Sequence, residues 1–106
     1  MVTFQTMHRA TQGLTLETAE DIAVQALVFL TAEPVRLSRF LTLSGLEPSE
    51  VGKQAGTPQF LAAVLEHFLA DESLLLSFAA NAAVAPHLVM PALALLQEAA
   101  DGARPR

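Results

Sequence analysis

The sequence predicts an all-α domain: a compact orthogonal bundle of five to six short helices around a central apolar helix at about residues 72–83. Three observations carry that expectation. Apolar residues recur at helical spacing from Ile22 to Leu96. Thr15, Pro34, Pro48, Thr57–Pro58, Asp71 and Pro86 stand where helices begin, and Gly45 and Gly56 where they end. No segment alternates with the period of two that a half-buried strand requires.

Bulk composition narrows the class. The chain has 106 residues, enough for one core without staples, and no cysteine, so disulfides and thiolate metal sites are excluded. Hydrophobic residues make up 52% and charged residues 16%, so apolar surface is expected to stay uncovered, as on interaction modules. The net charge of −5 opposes nucleic acid and anionic membranes, neither of which is expected as a partner. No apolar run approaches the roughly 20 residues of a membrane span, and Met1-Val2-Thr3-Phe4 does not open like a signal peptide. A cytoplasmic protein is expected.

Residues 1–14 show no sustained period and read as a loosely ordered arm, 15–101 as one helical domain, and 102–106 as a frayed tail. The first helix, about 16–32, starts at the N-cap Thr15 with Glu17, Glu20 and Asp21 at the positive end of the helix dipole. Its inward stripe is Ile22, Ala23, Ala26, Leu27 and Leu30. Val24 and Val28 lie on another face, so apolar residues nearly encircle it. The second helix, Pro34 to about Leu43, turns Leu37, Phe40 and Leu41 inward. It ends at Gly45, read as left-handed, with Leu46 folding back. Pro48 opens a short third helix that Gly56 stops.

The fourth helix begins at Thr57–Pro58 and carries Phe60, Leu61, Val64, Leu65, Phe68 and Leu69 in one stripe. Asp71 caps a fifth helix whose polar row is only Ser73, Ser77 and Asn81, which marks it as the most buried one. Pro86 starts a sixth with Leu88, Val89, Leu93 and Leu96 inward, and Pro91 inside it demands a kink or a restart.

Chemistry is sparse. Glu66, His67, Asp71 and Glu72 combine carboxylate and imidazole, but they fall on a polar face and Asp71 is needed as a cap, so no metal or other cofactor is expected. Arg36, Arg39 and Lys53 would form an anion patch if the third helix folds back beside the second. Leu43-Ser44-Gly45-Leu46 lacks the flanking glycine of a nucleophile elbow, and no catalytic residue is expected.

The run Ala26-Leu27-Val28-Phe29-Leu30, Glu33-Pro34, and Arg39-Phe40-Leu41 through Leu43-Ser44-Gly45-Leu46 and Pro48 forms one set of landmarks. Pro58, Phe60 to Leu65, Leu69-Ala70-Asp71-Glu72 and Leu74-Leu75 form the next. Together, over about Ala19 to Leu96, they resemble a family of small bacterial proteins, the domain of unknown function 3572. The resemblance implies a bacterial cytosolic origin and carries no catalytic or binding residue. The expected role is a non-catalytic protein-interaction or adaptor module, either self-associating as a homodimer or binding another protein. Val24 and Val28 are its apolar partner face. The alternative is a small-molecule or acyl-chain binder with an apolar cleft between helices.

Overall fold

A computed structural model describes residues 14–103. Among them are six α-helices and one 3-10 turn, with no strand: α1 (Leu16–Thr31), α2 (Pro34–Ser44), α3 (Pro48–Gln54), α4 (Pro58–Leu69), α5 (Glu72–Ala82), the 3-10 turn Pro86–Leu88, and α6 (Val89–Ala103). The all-α bundle is thus the fold. The arm expected at 1–14 falls, apart from Leu14, outside the described residues, and Leu14 packs against the core.

Side-chain caps place the helix starts. The Thr15 hydroxyl accepts from the Thr18 N–H at 3.1 Å. Thr57 accepts from Phe60 at 3.2 Å, and the Asp71 carboxylate from Leu74 at 3.1 Å. Each satisfies one of the amides a first turn leaves unpaired. At α3 the Glu47 N–H donates to the Glu50 carboxylate at 3.0 Å, a reciprocal cap that complements Pro48 at the first position.

Two helices stop in left-handed backbone. Gly45 has φ 75°, and Leu46 N–H returns to the Leu41 carbonyl at 3.2 Å. Ala83 adopts φ 57° after α5, and Val84 N–H returns to the Ala79 carbonyl at 3.0 Å. The chain uses one stop motif twice, once with glycine and once with a residue that carries a Cβ.

The centre of the bundle corrects one expectation. The helix expected at about 72–83 is present as Glu72–Ala82, but of its residues only Phe78 and Ala79 are buried, while Leu74 and Leu75 are half-covered and Leu76 is exposed. The core is organised instead around α4, whose Phe60, Leu61, Ala62, Val64, Leu65 and Phe68 are all buried. The most extensive packing joins α4 to α6, α1 to α6, and α1 to α4. These are the three longest helices, and each covers the other two. The small residues Ala19, Ala23 and Ala26 on α1, Ala62 on α4, and Ala92 and Ala100 on α6 are buried where backbones must approach. The eleven-residue α5 is joined to α4 through Asp71 and lies at the margin.

Aromatic rings fill the remaining volume. Phe68 and Phe78 have centroids 5.1 Å apart, and Phe29 meets both at 6.2 and 5.8 Å. Phe40 meets Phe60 edge-on at 6.0 Å. Such tilted and edge arrangements suit the ring quadrupoles.

Of the two outcomes expected at Pro91, a kink or a restart, the structure has the restart. The 3-10 turn Pro86–Leu88 comes first, and α6 begins only at Val89, so Pro91 falls in its first turn. No amide there has an intrahelical acceptor, and the missing donor costs nothing. At the other end α6 runs through Gly102 to Ala103, two residues beyond the domain boundary expected from Gly102.

Candidate functional site

The described interior holds no buried polar or charged side chain, so any site must be on the surface. The outer face of α1 is the place to begin. Ala19, Ile22, Ala23, Ala26 and Leu30 are buried. On the opposite side, Glu17, Asp21, Val24, Val28 and Thr31 follow at alternating spacings of four and three residues, and all are exposed. That is the spacing of a helix-packing seam. Its N-terminal half is acidic and its C-terminal half apolar. Val24 retains 46% of its surface and Val28 60%.

Beside the two valines runs an open groove of about 550 Å³. Val24, Val28 and Phe29 line it from α1, Asn81 and Ala82 from α5, and Glu33 and Arg36 from the start of α2. Arg36 lies with its guanidinium carbon 4.2 Å from the centre of the Phe29 ring. Its head is 3.8 Å from the Glu33 carboxylate, a partly exposed pair worth little by itself. The groove therefore has an apolar wall, an aromatic base, and one charge of each sign at its rim.

The three basic residues expected to gather do not share a site. Arg36 belongs to this groove, whereas Arg39 acts on His67, and Lys53 is exposed on α3. Helix α3 makes only slight contact with α2, so the fold-back that would have assembled the patch is missing.

A second hollow, of about 350 Å³, is edged by Phe40, Leu43, Ser44, Glu66 and His67. His67 packs edge-on against Phe40 with centroids 5.2 Å apart. Burial and the positive Arg39 hold its pKa below the ordinary 6.5, partly offset by Asp71. Ser44 and His67 edge one hollow without a hydrogen bond between them: the Ser44 hydroxyl donates to the Leu41 carbonyl at 3.4 Å. Glu66 accepts from the Gln97 side chain at 3.1 Å, and Asp71 is used as the α5 cap. Among the described residues no three His, Asp or Glu side chains converge as metal ligands. No single described helix is long and apolar enough to cross a membrane.

Sequence reasoning missed Phe29 and Arg36 as members of the Val24/Val28 face. The i+7 relation of Phe29 and Arg36 crosses two helices, and only the tight Ala32–Glu33 link brings them together. Phe29 was a visible signal, being the one aromatic of α1 beside an outward valine.

Fold and surface together define a small all-α domain of six helices with an apolar groove on its outer face. A family model described as "Protein of unknown function (DUF3572)" matches residues 16–99, and the chain belongs to that family. No curated protein and no solved structure matches the chain.

Proposed function

We propose that this protein is a non-catalytic protein-interaction module that docks its partner along the outer face of α1 and the groove beside it. The observation that carries the reading is the half-exposed pair Val24 and Val28 on a seam-spaced face, with Phe29 and Arg36 completing the surface. Apolar side chains on such a seam are the usual contact of one helix with another. An arginine stacked on an aromatic ring beside them is typical of interface anchors.

The acyl-chain reading uses the same groove, with Arg36 as a carboxylate clamp. It is the weaker one, because the groove is open along its length and a small ligand needs most of its surface enclosed.

The test is a photo-reactive amino acid placed at position 28 in the full chain and irradiated in cells of the native host, with the same residue at Lys53 as the control. Discrete protein adducts from position 28, absent from position 53, support the reading. Equal or no adducts from both positions would remove it.

A further inference from the structure

We infer that the partner segment seated on this face is an amphipathic helix of another protein that carries Lys or Arg and lies antiparallel to α1. The inference deepens the interaction reading above, on which it rests, by naming the chemistry of the partner. Charge, spacing and helix polarity lead to it.

The face is apolar in its middle and acidic at its N-terminal end. Helix α1 carries Glu17, Glu20 and Asp21 and no Lys or Arg. Glu17 and Asp21 stand in the exposed row with Val24 and Val28. At the far end Arg36 is tied to Glu33 and stacked on Phe29, so that pair contributes no net positive charge. Glu17, Asp21 and Glu33 thus stand against one guanidinium, and the face is net acidic. Glu17 lies in the first turn, where the positive end of the helix dipole partly offsets it. Asp21 lies beyond that turn, about 4.5 Å along the axis from Val24 by helical rise. It is the carboxylate that the dipole offsets least.

These features specify the occupant. A second copy would bring one net acidic face against another, and a fatty-acid carboxylate or a nucleic acid would be repelled in the same way. A segment with apolar residues flanked by Lys or Arg satisfies both parts of the surface, burying Val24 and Val28 and neutralising Asp21. The row Glu17, Asp21, Val24, Val28, Thr31 has the repeat that meshes with a second helix, and it spans about 21 Å, or four turns. Helix polarity sets the direction. Basic side chains are favoured in the last turn of a helix by its dipole, so a partner whose basic end lies over Asp21 runs opposite to α1. Its apolar side chains then reach the groove between Val28, Phe29 and Ala82.

The decisive experiment titrates the isotope-labelled full chain with synthetic probe helices of about four turns, followed by NMR. The basic probe has leucines at seam spacing and lysines in its last two turns. A second probe replaces the lysines by glutamates, and a third keeps the lysines but replaces the leucines by glutamines. The basic probe should shift the Val24 and Val28 signals and bind at least about tenfold more tightly than either of the others. Val28→Asp should weaken it by more than about tenfold. Asp21→Lys should weaken it about two- to fivefold and strengthen the glutamate probe, whereas Glu98→Lys, the same charge change at an exposed position of α6, should leave both within about twofold. Urea midpoints confirm that each variant is folded. A nitroxide at the N-terminus of the basic probe should broaden the Glu33 amide more than the Glu17 amide. Equal binding of all three probes, indifference to Val28→Asp or Asp21→Lys, or stronger broadening at Glu17 overturns the inference. So do Val28 signals that, without any probe, shift with protein concentration, which assigns the face to a second copy, or with Arg9→Glu, which assigns it to residues 1–13 of the chain itself. Failure of every probe to bind also overturns it, and the interaction reading then stands or falls by the adducts from position 28.

Discussion

Gly45 and Ala83 end their helices in the same left-handed conformation, and this makes a reciprocal prediction. For an L-residue that conformation costs about 1–2 kcal/mol, which Ala83 bears at φ 57° and Gly45 at φ 75° avoids. Against it stands the greater freedom of glycine in the unfolded chain, about 0.4–1 kcal/mol. Ala83 is exposed, so removing its methyl group uncovers nothing. A Cβ added at Gly45 would meet no atom within 4 Å, so no clash adds to the conformational term. Ala83→Gly should therefore stabilise the fold by about 0.5–1 kcal/mol, and Gly45→Ala should destabilise it by a similar amount. Urea unfolding followed by far-ultraviolet circular dichroism reads this directly. With a slope of about 1–2 kcal/mol/M, the midpoints should move roughly 0.5 M in opposite directions while the slopes stay unchanged. Both midpoints moving the same way, or Ala83→Gly lowering the midpoint, would refute the reasoning.

Three further predictions concern the core and its margins. Leu65→Ala, at a fully buried position on α4, should cost about 2–5 kcal/mol, and Leu75→Ala on the half-covered α5 clearly less; equal or reversed losses in denaturant midpoint would return α5 to the centre. Asp71→Ala removes the hydrogen bond to the Leu74 amide and should lower stability by about 1 kcal/mol, with Asp71→Asn retaining most of it. His67 has a folded pKa below its ordinary 6.5, so the unfolded chain binds more protons between the two values: its contribution is complete above about pH 6.5 and is lost as pH falls toward the native value. The drop in urea midpoint from pH 8 to pH 5.5 should therefore shrink in His67→Gln, and an unchanged drop would contradict this.

How much of this was legible in the chain depends on the residue type. Helix starts were readable because Thr15, Thr57 and Asp71 act on amides two or three residues away, a purely local matter. The same is true of the Gly45 stop. Ala83 was not readable as a stop, since alanine gives no local signal for positive φ. The interior stripes of α1 and α4 were also legible: Ile22, Ala23, Ala26 and Leu30 are buried as spaced, and so are Phe60, Leu61, Val64, Leu65 and Phe68, while Leu27 and Leu69 of the same stripes are only partly buried.

Ranking the helices by depth went astray at α5. Its Leu74-Leu75-Leu76 run records how poorly water suits the helix, but coverage depends on which neighbours are long enough to lie across it. Longer α1, α4 and α6 cover one another and leave α5 at the edge. For the surface, the spacing of Val24 and Val28 was a correct pointer to exposed apolar positions. The groove was invisible because Arg36, Phe29 and Ala82 come from three helices. The imagined basic patch had no such support, since nothing local determines where α3 turns.

The central claim, that Val24 and Val28 serve association and not the core, is tested most directly by the double variant Val24→Ser/Val28→Ser. Its stability, read from the unfolding midpoint, should stay within about 0.5 kcal/mol of wild type, as for exposed positions. Its binding of the basic probe helix should vanish. A loss of more than about 2 kcal/mol in stability, or probe binding that persists undiminished, would contradict the account.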